Sequence, residues 1–156
     1  MSIFGLFSRV HSDPRIMDPD LGELVFNFVK HNPANSYWQG QIPFEPTSDI
    51  ISVALPGDIN GPDEKARQFV LAAGKRFRRI HQLVKPKLRA ALQQWVSKDV
   101  PENLFSMVKL ASIDITDVSN EPADWELSFE TKPGFRWCFI SIRFEGNIPL
   151  DAVVDT

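Results

Sequence analysis

The chain has 156 residues, of which 43% are hydrophobic and 24% charged, with a formal net charge of −3. That length suits one domain, and that composition an ordinary globular core. The single cysteine, Cys138, excludes an intramolecular disulfide framework and a cysteine-rich zinc site, and no apolar run approaches the ~20 residues that span a bilayer.

Met1 to Val10 carries Ile3, Phe4, Leu6 and Phe7. It lacks the basic start, long apolar run and cleavage site of a secretory leader, so a cytoplasmic protein is expected. The segment reads as a tail that docks on the domain or frays, or as a short interfacial anchor giving weak peripheral membrane contact through residues 1–10. His11 to Asp20, with Asp13-Pro14 and Asp18-Pro19, reads as a linker. The expected organisation is a tail and linker over 1–20 and one domain over 21–156.

From Leu21 the pattern is that of strands. Glu23 to Lys30 is rich in aromatic and β-branched residues. Tyr37 to Phe44 alternates, with Trp38, Ile42 and Phe44 on one side and Tyr37, Gln39 and Gln41 on the other. Asp49 to Leu55 gives a third strand. Beyond Pro56 to Pro62 the period changes: Phe69, Ala73, Phe77, Ile80 and Val84 form one stripe of a helix. Pro62 suits the first helical position, with Asp63 and Glu64 at the positive helix end. A second stripe, Leu88, Leu92, Trp95 and Val96, follows Pro86; one bent helix and two helices remain open. Asn103 to Val108 suits a short helical turn. Strands are then expected over Leu110–Val118, around Trp125 to Phe129, over Arg136–Glu145 and over Ile148–Val154, with Gly134 in a turn that needs a positive φ.

No βαβ alternation repeats, so a doubly wound parallel sheet is not expected. The expected fold is α+β: a largely antiparallel sheet from two meanders, βββ-α(α)-βββ(β), with the helical segment packed on one face. Phe69, Phe77, Ile80, Leu92, Trp95, Leu127, Phe129, Ile140 and Ile142 are the expected core.

Catalytic patterns are absent. There is no nucleophile elbow, no phosphate-binding loop and no paired metal-ligand spacing for His11, His31 or His81. No cofactor and no metal is expected. Cys138 reads as a small apolar core residue. Asp58 to Asp63 alternates acid and amide like the start of a calcium loop, but Pro62 and the glycine offset break the match; it reads as a capping turn into the helix.

Charge is unevenly laid out. Gly61 to Lys98 holds ten basic and two acidic residues, a net +8, leaving −11 for the rest. Arg76, Arg78, Arg79, Lys85, Lys87 and Arg89 suit an acidic protein partner, or the solvated face of a helix. No specific nucleic acid is expected, because the acidic remainder opposes a long phosphate backbone. If Cys138, Ile140, Ile142 and Phe144 face the helix, then Trp137, Phe139, Ser141, Arg143 and Glu145 face away. The candidate binding residues are therefore Trp137, Phe139 and Arg143 on that strand and Arg76 and Arg79 on the helix. Cover by the N-terminal segment, or self-association, is the other use of that face.

Several fragments resemble a bacterial family known only as a domain of unknown function: Asp20-Leu21-Gly22-Glu23-Leu24, Trp38-x-Gly-x-Ile42, Glu102-Asn103-Leu104-Phe105, Leu110-Ala111-Ser112-Ile113, the strand around Trp137 and the closing Gly146 to Val153. The similarity runs from Leu21 to the C-terminus. Members carry a Gly-His pair after the late tryptophan, where this chain has Cys138-Phe139. The resemblance implies a style close to small bacterial immunity or stress-associated domains and assigns no catalytic residue. The expected function is a non-enzymatic bacterial protein-interaction domain of immunity type. The alternatives are a small-ligand binder or enzyme with a site between helix and sheet, and a weak nucleic-acid binder through the basic helix.

Overall fold

The computed structural model describes residues 13–156; the tail expected over residues 1–10 lies outside the described residues. Among the described residues nine strands form one mostly antiparallel sheet: β1 (Arg15–Asp18), β2 (Gly22–Asn27), β3 (Tyr37–Phe44), β4 (Asp49–Asp58), the two-residue β5 (Gly61–Pro62), β6 (Val108–Asp117), β7 (Asp124–Thr131), β8 (Phe139–Glu145) and β9 (Ile148–Asp155). Their spatial order is β1-β2-β3-β4-β6-β7-β8-β9, with β5 paired only to β4. Two helices, α1 (Glu64–Lys75) and α2 (Phe77–Trp95), connect the two meanders. A crossover of that length brings β6 back beside β4 in parallel, the only parallel pair among the described residues, with Val53 opposite Ile113.

Alternation along each strand sends one set of side chains under the helices. Trp38, Phe44, Val53, Leu55, Ile113, Trp125, Leu127, Phe129, Ile140, Ile142 and Phe144 are buried there with Val70, Phe77, Ile80, Val84, Leu88 and Leu92 from the helices. Aromatic edges lock the layers, Phe44 against Phe77 at 5.2 Å and Phe69 against Trp125 at 5.1 Å between ring centroids. Gly40 is required where it stands, because a Cβ there would lie 2.8 Å from the Glu23 carbonyl oxygen and 2.6 Å from Leu24 Cδ2. Gly134 takes φ +97° in the β7–β8 connection, the turn geometry its sequence anticipates. Cys138 is buried, its amide donating to Thr131 Oγ1 at 2.9 Å.

Four expectations are corrected. The ordered body begins before Leu21: Arg15–Asp18 is an edge strand on β2, not a linker. Asp18 is held from α1, where Arg67 Nε donates to its Oδ2 at 2.7 Å. Burial pushes the Asp18 carboxyl up, but Arg67 and the Asp20 and Leu21 amides outweigh it and hold it below the usual range. Secondly, Pro62 is not the first helical residue. Pairing of β5 on β4 draws it into the sheet, and Asp63 becomes the N-cap, accepting from the Ala66 amide at 3.1 Å. Thirdly, the helix breaks at Arg76, whose amide bonds both the Ala72 and Ala73 carbonyls, rather than at Pro86, which sits inside α2 on its solvent side. Lastly, Trp95 ends α2 beyond the packed interface and is 36% exposed, and Phe69 is only half-buried, its ring overlaid by Arg76 at 5.7 Å.

Candidate functional site

Both helices lie on one face of the sheet, and among the described residues no element covers the other. Cross-strand register assembles that open face from separate parts of the chain. Ser52, Ser112, Ser128 and Ser141 stand side by side across β4, β6, β7 and β8. At a strand spacing of about 4.8 Å the four span roughly 14 Å. Ser128 and Ser141 share a hydrogen bond of 3.0 Å between hydroxyls, and Gln39 Nε2 donates to Ser52 Oγ at 3.3 Å. Serine is shorter than the glutamate, glutamine, arginine and aromatic side chains on either side, so the row forms a shallow trough, with Ser112 and Ser128 buried and Ser52 and Ser141 half-buried along its floor.

On one side of the trough Asp114 of β6 lies directly opposite Glu126 of β7, and Glu126 opposite Arg143 of β8. Arg143 is committed elsewhere: its Nε and Nη2 grip Asp124 Oδ1 and Oδ2 at 2.7 and 3.1 Å. Asp114 accepts from Ser112 Oγ at 3.1 Å, and among the described residues neither it nor Glu126 has an ion-pair partner. Burial pushes the Asp114 carboxyl up despite the Ser112 bond. The Glu126 carboxyl is also pushed up, first by burial and then by the charge of Asp114. Beside Asp114 a depression of about 420 Å³ opens over Ala54 and Pro56, walled by Tyr37, Gln39 and Thr116 and by Ala34 and Asn35.

On the other side of the trough stand Phe139, half-buried, and Trp137, 51% exposed. Glu130 links them: it lies opposite Phe139 in the register and accepts from Trp137 Nε1 at 2.9 Å. Of the five candidate binding residues, the structure therefore brings Trp137, Phe139 and Arg143 to one surface. Arg76 and Arg79 lie on the helical side, at the α1–α2 break and in the first turn of α2, and do not join it.

The basic helical segment is partly neutralised within the fold. Arg67 pairs with Asp18, Asp20 and Glu64; Lys85 and Arg89 share Glu102; Lys87 meets Asp151 at 3.0 Å. Arg89 also donates to the Val100, Pro101 and Glu102 carbonyls. The acidic flanks thus fold back on the middle of the chain.

Another depression, about 570 Å³, lies between α1 and β3, with Leu21, Ile42, Phe44, Val70 and Leu71 as its apolar walls and Asp20, Glu45 and Lys75 among the residues lining it. Among the described residues no group of three or more His, Cys, Asp or Glu side chains is placed to hold a metal ion, and no helix is long and apolar enough to cross a membrane.

Sequence reasoning missed the Asp114–Glu126 pair. Both residues fall on outward positions of alternating strands, but a hairpin folded evenly about residues 118–123 sets Asp114 opposite Leu127; the irregularity between Ile115 and Asp117 shifts the register by one and brings Glu126 there instead. No family model matches this chain, nor does any curated protein or solved structure.

Proposed function

We propose that the chain is a non-catalytic protein-interaction domain, of the immunity type in which a small domain blocks a partner, and that the open sheet face is its contact surface. The observation that carries this reading is the Asp114–Glu126 pair: two carboxylates face each other across adjacent strands on an uncovered face, without a cation between them. Such a pair costs stability in the free protein, and a positively charged partner relieves it. Trp137 and Phe139 supply the aromatic anchor that interfaces favour, and the serine trough lets a partner's backbone approach closely. The partner of this face is basic, whereas Lys75, Arg76, Arg78 and Arg79, without an ion-pair partner among the described residues, would serve an acidic surface at a second place.

Peptides selected on the immobilised protein from a displayed random library test the reading. Ser141→Arg plants a long side chain in the trough; Arg78→Glu reverses charge on α2. Selected peptides should lose binding to the first variant and keep it with the second. Loss on the second alone would move the contact surface to the helices.

A second reading rests on the α1–β3 depression, whose volume lies within the usual range for small-molecule sites. Heat-shift screening of amphipathic metabolites against wild type and Gly74→Leu, which narrows that depression, would detect it as stabilisation confined to the wild type.

A further inference from the structure

We propose that the depression walled by Tyr37, Gln39 and Asp114 receives an arginine side chain of the partner protein. This rests on the reading of the open face as an interaction surface and names the chemistry the face selects. Asp124 has Arg143, and Glu130 has Lys109 at 3.5 Å; among the described residues Asp114 has no ion-pair partner, and its neighbour Glu126 forms no ion pair either, although Arg143 stands opposite it. The charge deficit of the central face is therefore localised at one edge of this depression and not spread over it.

The other walls narrow the choice of cation. Tyr37 is half-buried and lines the same depression as Asp114, Gln39 brings an amide to it, and Ala54, Pro56 and Ala34 are too short to fill the space. A guanidinium is flat and carries five donors in a fork that matches a carboxylate, and it stacks on aromatic rings. An ammonium is a compact, strongly hydrated point charge and gains less from a ring and an amide. At about 420 Å³ the depression also exceeds what a bare metal ion needs, and it is open enough for a side chain to enter from a partner lying along the serine trough.

The test uses the whole chain, isotope-labelled, titrated with an end-blocked Gly-Arg-Gly peptide and followed by amide shifts. The same peptide with citrulline keeps the shape and removes the charge. The proposal expects saturable shifts at Tyr37, Gln39, Asp114 and Thr116. It expects affinity at least tenfold weaker with citrulline and in Asp114→Asn, and unchanged in Asp99→Asn, an exposed acid far from the face. The Asp114→Asn spectrum itself reports whether that variant is folded. Equal shifts with both peptides, binding indifferent to Asp114→Asn, or no saturation would overturn the proposal. If the arginine peptide fails while Ser141→Arg still abolishes the selected binders, the arginine inference falls and the face survives; if both fail, both fall.

Discussion

His81 shows how a single buried atom sets a pH dependence. Its ring stacks on Phe105 at 4.8 Å and lies near Phe77 at 6.2 Å, and its Nε2 is buried without a hydrogen-bond partner among the described residues. Burial, and then the charge of Lys85, holds it below its usual pKa of 6.5. The unfolded chain therefore takes up the proton first, so stability is full above about pH 6.5 and falls as pH drops through the lower folded value. Urea melts at pH 7.5, 6.5 and 5.5 should show wild type losing stability relative to His81→Phe; parallel lines would contradict this. Asp114 has the opposite sign. Its raised folded pKa means that the charged form is the disfavoured one, so its cost is present above that pKa and fades as pH falls toward the unfolded value of 3.8. Asp114→Asn should therefore stabilise at pH 7 by about 0.2–1 kcal/mol, the range of a like-charge pair across strands. That gain should vanish below about pH 4. A destabilised variant at pH 7 would mean that the carboxylate is structural.

At the scale of elements, the α1–α2 break is held by packing rather than by a proline. Phe77, the first residue of α2, is buried against Phe44, and Phe77→Ala should cost roughly 3–5 kcal/mol in urea melts; a loss well under 1 kcal/mol would refute the role given to that contact. The strands with strict alternation were legible in the sequence. Tyr37–Phe44 has the bounds its pattern implies, and Trp125, Leu127 and Phe129 point inward as their spacing requires. Two elements were not legible. β1 is four residues long, is flanked by Pro14 and Pro19, and turns inward one apolar residue, Ile16, and the buried acid Asp18, so it lacks the apolar period that marks a strand. The helix break was misplaced because Pro86 is the obvious breaker, yet Val84, Leu88, Ala91 and Leu92 on either side bury enough to carry α2 through it. The aromatic part of the open face could be read from the alternation around Cys138. The acid pair depends on register between β6 and β7, which carries two irregularities that local pattern does not reveal.

The whole molecule converts a charge asymmetry in sequence into partial internal neutralisation. A segment of net +8 loses much of its reach when Arg67, Lys85, Lys87 and Arg89 pair with acids before and after it. What remains is a short run at the helix break and a net acidic body. Duplex and single-stranded DNA should therefore bind no tighter than the ~10⁻⁴ to 10⁻⁶ M of non-specific contact near 150 mM salt; nanomolar affinity in a labelled titration would place the contact surface on the helices. The sheet has its apolar side committed to two helices and its other side furnished with a trough, an aromatic pair and uncompensated carboxylates. On the proposed reading, that asymmetry of faces makes the open side the contact surface. Carboxyl labelling with a carbodiimide, read by mass spectrometry on the free protein and on its complex with a selected peptide, tests it most directly. Protection of Asp114, Glu126, Asp124 and Glu145, with Glu64, Asp99 and Glu102 unchanged, is the predicted result; protection confined to Glu64, Asp99 and Glu102 would contradict it.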